Sequence, residues 1–238
     1  MPTLGIIGSG RVGTAVARLA VAAGIPVVVA NSRGPHSLAG LTGRLGPLAT
    51  AGTAEEAAQA GGLVVASVPL TAVPALPAAA LRGRTVLDTI NYHPARDGRI
   101  IPLDREELTT GELVRRHLPG ARLVKAFNNI LAHHLPQLAR PTGAPDRTAL
   151  PIAGDEAWSK AAAAALIDRL GFDTVDAGPL AACWRFEPES TACTRMYAAD
   201  PDVPREGLAD VPGLPVPAEG LRAALTHARR VRVADRTY

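Results

Sequence analysis

Short continuous apolar runs alternate with longer Ala-rich stretches through the first two thirds of the chain. The runs Thr3–Gly8 (TLGIIG), Pro26–Ala30 (PVVVA), Gly62–Pro69 (GLVVASVP), Arg84–Ile90 (RTVLDTI) and Ala121–Phe127 (ARLVKAF) do not alternate apolar with polar positions. Such runs are expected of strands covered on both faces. Between them, Val12–Ala23, the stretch EEAAQA and Thr71–Leu81 read as helices. Strand and helix taking turns predicts right-handed crossovers and a parallel sheet. After a loop at Arg140–Thr148, a further unit follows: ALPIAG as strand, Asp155 to Leu170 as helix and FDTVDAG as strand. Beyond Pro179 the pattern weakens. Repeated prolines from Pro201 to Pro217 predict an extended excursion, and a last amphipathic helix is expected from Ala218 to about Arg230. No repeat at solenoid periods is present.

A chain of 238 residues supports one substantial core, or one core with a small appendage. Hydrophobic residues make up 47% and aromatics only 3%, which favours close helix-on-sheet packing over a core of large rings. The net charge of +3 suits anionic small ligands and is too weak and dispersed to argue for nucleic acid. The two cysteines, Cys183 and Cys193, form neither a disulfide framework nor a metal motif, so a reduced, cytoplasmic protein is expected. With no basic start or separate apolar core in MPTLGIIGSG, no signal peptide is expected, and the apolar region Val12–Ala30 is broken by Arg18, Gly24 and Pro26, so no membrane span is expected. The absence of an H-E-x-x-H, a Cys–His cluster or a carboxylate triad argues against a metal, and there is no G-x-S-x-G elbow.

Gly8, Gly10 and Gly13 in GIIGSGRVG fall in the G-x-G-x-x-G spacing, directly after a strand and at the opening of a helix. Gly8 suits the tight turn, Gly10 the approach of a pyrophosphate to backbone, and Gly13 close helix–strand packing. The helix N-terminus then presents N–H groups and a partial positive charge to the phosphates. A bare turn without ligand is the competing explanation, and the strand–turn–helix context weighs against it. The fold class expected is therefore α/β: a Rossmann-type, doubly wound, mostly parallel sheet with a small C-terminal helical portion. Residues 1–180 would form the dinucleotide-binding domain and residues 181–238 a smaller portion completing the cleft.

An NAD site would place an acidic residue about 20 positions beyond this loop, accepting hydrogen bonds from the adenosine ribose. Here the second strand ends in Asn31, Ser32 and Arg33. A carboxylate would repel a 2′-phosphate; Asn31 does not, Ser32 offers a hydroxyl and Arg33 a planar fork. His36 adds a further donor when protonated. NADP(H) is expected over NAD(H). Solvation of a loop tip is the alternative role for Arg33.

The segments GIIGSGRVGTAVARLAVAAGIPVVVANSRGPHSL, VVVASVPLTAVP, VLDTINY, VKAFNNI and DRLGFDTVDAGPL together resemble the NADPH-dependent reductases of the deazaflavin coenzyme F-420, over roughly Thr3 to Leu180. The resemblance implies hydride exchange between nicotinamide and a flat, anionic deazaflavin, in a homodimer. It places Ser9, Arg11 and Val12 in the pyrophosphate loop and Ser32 and Arg33 on the 2′-phosphate. It also sets Ser67, Val68 and Pro69 beside the nicotinamide ribose and Asn91 near the nicotinamide. Two stretches depart from the pattern: NYHPARDGRIIPLDREEL after the Arg84–Ile90 strand is longer and more polar, and nothing from Cys183 onward matches.

Hydride transfer between two flat rings needs proximity, stacking and exclusion of water, whereas reduction of a carbonyl or imine also needs a proton donor. The candidates are Tyr92 and His93 after the Arg84–Ile90 strand, and Asn128, Asn129, His133 and His134 after VKAF. For the histidine pair an exposed or capping role competes, because adjacent helical positions do not share a face. His93 before Pro94 fits a turn as well as a site. Lys125 reads as a catalytic lysine or as a strand-end lysine reaching solvent. The Arg-rich end HARRVRVADRTY reads as a solvated helix face and tail, or as an attractor for a polyanionic ligand or chain. Three functions follow: an NADPH–deazaflavin oxidoreductase, an NADPH-dependent reductase of a small carbonyl or imine, and a non-catalytic NADP(H)-binding module.

Overall fold

The computed structural model describes residues 2–232. Strands β1 (Leu4–Ile7), β2 (Val27–Ala30), β3 (Ala49–Ala51), β4 (Leu63–Ala66), β5 (Thr85–Asp88), β6 (Arg122–Lys125), β7 (Ala149–Gly154) and β8 (Asp173–Asp176) form one sheet in the order β3-β2-β1-β4-β5-β6-β7-β8. The first six run parallel, and the order reverses between β1 and β4. Helices α1 (Arg11–Ala22), α2 (Ala39–Leu45), α3 (Ala54–Gln59), α4 (Ala78–Leu81), α5 (Pro94–Asp97), α6 (Ile101–Asp104), α7 (Thr110–His117), α8 (His134–Leu138), α9 (Ala157–Arg169) and α10 (Ala218–Thr226) connect and cover the strands.

Small residues let the layers approach closely. A Cβ on Gly5 would lie 1.9 Å from the carbonyl oxygen of Ala57, so α3 rests directly on β1. Helix α1 buries Gly13, Ala15, Val16, Ala17 and Ala20 against the sheet. Helices α3 and α7 each start from a capping box: Thr53 with Glu56, and Thr109 with Glu112.

The structure departs from the expected pattern in three places. The expected helix Thr71–Leu81 is a 3₁₀ stretch, Leu70–Ala75, followed by the one-turn α4. Pro74 and Pro77 remove backbone donors and clash with the preceding turn, so no continuous helix forms there. β7 runs antiparallel to β6, with Val124 opposite Gly154 and Lys125 opposite Ala153. Between them lie only the five-residue α8 and the Pro-rich loop, and an antiparallel neighbour needs no crossover helix. α10 ends at Thr226 rather than near Arg230. Of the Arg-rich end, Arg230 donates to Leu108 O (3.1 Å) and pairs with Glu106 (3.6 Å), so it packs on the protein. Residues 233–238 of that end lie outside the described residues.

The polar insertion after β5 folds into α5 and α6 around Tyr92. The Tyr92 hydroxyl lies 2.9 Å from Gly98 O and 3.0 Å from Asp104 Oδ1, and it accepts from Ile100 N at 3.0 Å. The segment after β8 winds through 3₁₀ turns at Leu180–Phe186 and Thr194–Tyr197. It packs back against the sheet, where the buried Tyr197 hydroxyl donates to Ala149 O (3.1 Å).

Candidate functional site at the carboxyl ends of the parallel strands

The three glycines of the first loop play three physical parts. Gly8 has φ +115°, and a Cβ there would lie 2.0 Å from Ser67 O. A Cβ on Gly13 would lie 2.0 Å from Gly8 O, so α1 and the loop touch backbone to backbone. Gly10 has an ordinary extended backbone and nothing within 4 Å of its missing Cβ. It stands open at the site's mouth, flanked by half-buried Ser9 and Val12 and exposed Arg11. The first intrahelical bond of α1 is Thr14 N to Gly10 O (2.9 Å), so the N–H groups of Arg11, Val12 and Gly13 precede the ladder. Unlike α3 and α7, α1 has neither a side-chain cap nor an acidic residue in its first turn. An uncapped helix start facing an open glycine fits a phosphate group.

Asn31 joins this loop to the turn after β2. Its Nδ2 donates to Ser9 Oγ (3.2 Å) and Ser37 Oγ (2.9 Å), and its Oδ1 accepts from Arg33 N (2.9 Å). The Ser37 hydroxyl lies 2.7 Å from Gly34 O. A side-chain amide folded onto the backbone two residues on is an Asx turn. It leaves Ser32 and Arg33 exposed at the tip, with His36 beside them. Ser37, which the sequence pattern did not single out, is the second post of that turn. No carboxylate occupies the end of β2, so nothing on this turn would repel a 2′-phosphate.

Further along the same edge lie the exits of β4, β5 and β6. Ser67 and Val68 are half-buried and Pro69 exposed. Ser67 N donates to Ile7 O (2.8 Å), tying the β4 exit to the glycine loop. β2 and β5 are three strand spacings apart, about 14 Å at ~4.8 Å each, so the edge suits a long, extended ligand. Asn91 and Asn128 meet across the β5 and β6 exits. Asn91 Nδ2 donates to Asn128 O (2.6 Å), and Asn128 Nδ2 donates to Asn91 Oδ1 (3.1 Å) and Phe186 O (3.0 Å). Asn128 Oδ1 is buried and without a hydrogen-bond partner. Phe127 before it has φ +59°, a conformation costly for a bulky residue. Asn129 is fully buried and moors the C-terminal segment: its Nδ2 donates to Ala192 O (3.1 Å) and Tyr197 OH (2.9 Å), and its carbonyl accepts from Thr194 N (2.7 Å).

Beneath the asparagine pair lies a buried ion pair. Lys125 and Asp88 are opposite each other in the β5–β6 register, both fully buried, with Nζ 3.1 Å from Oδ2. Lys125 is therefore neither a solvent-reaching lysine nor one open to a substrate. Its Nζ also donates to Ile90 O, and Asp88 Oδ1 accepts from Ile90 N (2.8 Å). Burial works against the Lys125 charge, yet Asp88, with Cys183 and Glu187 nearby, holds the ammonium above its ordinary range. The buried Glu187 in turn accepts from Thr110 N (2.9 Å) and from Cys183 Sγ (3.2 Å). Burial pushes the Cys183 thiol well up, so it is no nucleophile.

The remaining sequence candidates lie in two groups. Tyr92 is fully buried with its hydroxyl held inside the α5–α6 loop, as described above. His93 is half-buried and its backbone N–H donates to Asp97 Oδ2 (2.9 Å). His133 and His134 do not diverge: each Nε2 lies 2.9 Å from Val211 O, with ring centroids 4.2 Å apart. Because His133 stands just outside α8, the spacing rule for helical neighbours does not govern the pair.

Strand order and the uncapped glycine loop together define a Rossmann-type dinucleotide fold, and the acid-free turn after β2 fits NADP better than NAD. The comparisons with known proteins carry this further. The family described as NADP oxidoreductase, coenzyme F420-dependent, matches residues 3–92. The hypothetical protein SMa0349 of Sinorhizobium meliloti is 34% identical, with a TM-score of 0.64 over 77% of this chain and 88% of that one. The chain belongs to this family of F420-dependent NADP oxidoreductases. A candidate F420-dependent NADP reductase from Arthrobacter sp. FB24 shares the fold at 23% identity, with a TM-score of 0.62 over 76% of this chain and 86% of that one. So does the reductive aminase of Aspergillus terreus, solved with NADPH and ethyl levulinate, at 17% identity, a TM-score of 0.53 and coverage of 76% and 56%. Among curated proteins none matches the sequence.

Proposed function

We propose that the protein is an enzyme that moves hydride between NADPH and a deazaflavin of the coenzyme F-420 type. NADPH supplies the hydride when bound. The chain's own contribution is positional. Gly10 and the start of α1 take the pyrophosphate, Ser32 and Arg33 take the 2′-phosphate, and Ser67, Val68 and Pro69 line the ribose. Asn91 and Asn128 orient the nicotinamide end, and the segment moored by Asn129 helps keep water from it. A homodimer in a reducing cytoplasm is part of the same reading.

The observation that carries it is the arrangement at the first βα turn: an open Gly10, an uncapped α1 and the Asn31-braced tip bearing Arg33. The flat-ring acceptor is supported by the family match and by where Tyr92 and the His133–His134 pair are engaged. Tyr92 is committed to Gly98, Ile100 and Asp104, and the histidine pair to Val211 O. Exchange between two rings needs no protein proton donor, whereas carbonyl or imine reduction does. The test is to mix protein, NADPH and oxidised F-420 and follow the deazaflavin absorbance. Loss of absorbance that depends on enzyme supports the reading. No loss at high enzyme concentration overturns it, and consumption of NADPH by an imine or ketone instead would favour the small-substrate reductase.

A further inference from the structure

Two charges with no exposure at all, a costly arrangement, sit at the ends of β5 and β6. An ion pair in that position gains little for stability over well-packed apolar side chains, so its retention calls for another reason. The hydrogen bonds supply one. Asp88 takes the N–H of Ile90 and Lys125 takes the carbonyl of the same residue, while the two side chains bind each other. The peptide groups on both sides of Ile90 are thereby fixed. The next residue is Asn91, whose side chain and Asn128, three residues beyond Lys125, exchange two hydrogen bonds. Phe127 holds its left-handed backbone between Lys125 and Asn128. Both Asn128 amide hydrogens are spent on protein, which turns its unpartnered, buried Oδ1 into an acceptor waiting for a donor.

We infer that the Asp88–Lys125 pair is a positioning device: it locks the Ile90 backbone so that the Asn91–Asn128 pair presents a fixed acceptor to the carboxamide end of the nicotinamide. The inference rests on the NADP(H) reading above. Lys125 touches no ligand in this scheme and acts through Ile90 and the two asparagines. Glu187, tied to the start of α7 through Thr110 N, is the second carboxylate whose charge Lys125 feels; it couples the knot to the C-terminal segment.

The experiment compares two ligands on three proteins: wild type, Lys125→Met, and the Asp88→Leu/Lys125→Met double variant. NADPH spans the whole edge, while 2′,5′-ADP carries only the adenosine half. Removing Lys125 alone strands a buried carboxylate, and that variant is expected to melt at lower temperature. The double variant replaces the pair with apolar side chains and is expected to fold. In it, affinity for 2′,5′-ADP stays within about twofold of wild type, whereas the extra affinity of NADPH over the fragment falls about tenfold and the emission of bound nicotinamide changes. A double variant that keeps the wild-type ratio of the two affinities and the wild-type emission overturns the inference. Equal weakening toward both ligands also overturns it, since that is the mark of a structural role alone. A wild-type protein that binds neither ligand overturns the NADP(H) reading itself.

Discussion

Gly10→Ala separates the cofactor loop's role in folding from its role in binding. At Gly10 the backbone is an ordinary extended one, φ −71° and ψ −170°, and nothing lies within 4 Å of a new Cβ. The methyl therefore costs the empty protein little, and restricting the unfolded chain adds at most about 0.4–1 kcal/mol of stability. For a chain of this size the melting temperature rises by no more than about 2–4 °C. In the proposed reading, however, the methyl stands where a pyrophosphate approaches the α1 N–H groups. Each hydrogen bond to a charged group is worth ~1.5–3 kcal/mol, so losing two at the low end weakens binding about a hundredfold. With NADPH at ~1,000 times the wild-type Kd, ligand stabilisation falls from ~4.1 to ~1.4 kcal/mol. The ligand-induced rise in melting temperature should shrink by about 5–11 °C, read by thermal shift with and without NADPH and by calorimetric titration. The control is Gly13→Ala, whose Cβ would lie 2.0 Å from Gly8 O. That overpacking costs ~1–3 kcal/mol, so it should lower the melting temperature of the empty protein as well. A Gly10→Ala protein that binds NADPH as tightly as wild type would refute the placement of the pyrophosphate.

Other outcomes follow from the same geometry. Arg33→Ala is expected to weaken NADPH about 10- to 100-fold and NADH barely, by loss of a charge-assisted fork; equal losses in a paired titration would remove the 2′-phosphate assignment. Tyr92→Phe deletes a hydroxyl that holds Gly98, Ile100 and Asp104, at ~1–3 kcal/mol, while turnover of the folded enzyme stays within about threefold. A hundredfold fall in kcat at unchanged KM would make Tyr92 the proton donor after all. His134 is fully buried, and burial together with neighbouring His133 holds its pKa below the usual 6.5, against the pull of Val211 O. The unfolded chain then binds the extra proton first, so stability should decline as pH falls below about 6.5 and level off below the folded value. In His134→Gln, denaturant midpoints measured across that window should lose this component of the slope. An unchanged slope would show that His134 does not titrate differently on folding.

What the sequence determined by itself was local or periodic. Uniformly apolar strand-length runs announced a sheet covered on both faces, because only such strands carry no polar alternation. G-x-G-x-x-G announced the first βα turn, because each glycine answers to a steric demand within a few residues of itself; the structure shows two of them in backbone contact and the third open. Asn31, Ser32 and Arg33 were legible for the same reason, lying at a fixed distance along one βαβ unit. Distant segments decided the rest. Lys125 could be read as catalytic or solvent-seeking until the β5–β6 register set it opposite Asp88, although a charge inside each of two apolar runs was a trace of the pair. The direction of β7 depended on where the chain returned after α8, which carries no local signature. Tyr92 and the histidine pair looked chemical in isolation, and only packing against Gly98, Asp104 and Val211 assigned their polar atoms. A hydrogen-bond partner 78 residues away is a tertiary fact. Hydrophobic period and turn chemistry write the scaffold into neighbouring residues, while the commitment of each buried polar atom is settled when the strand ends come together.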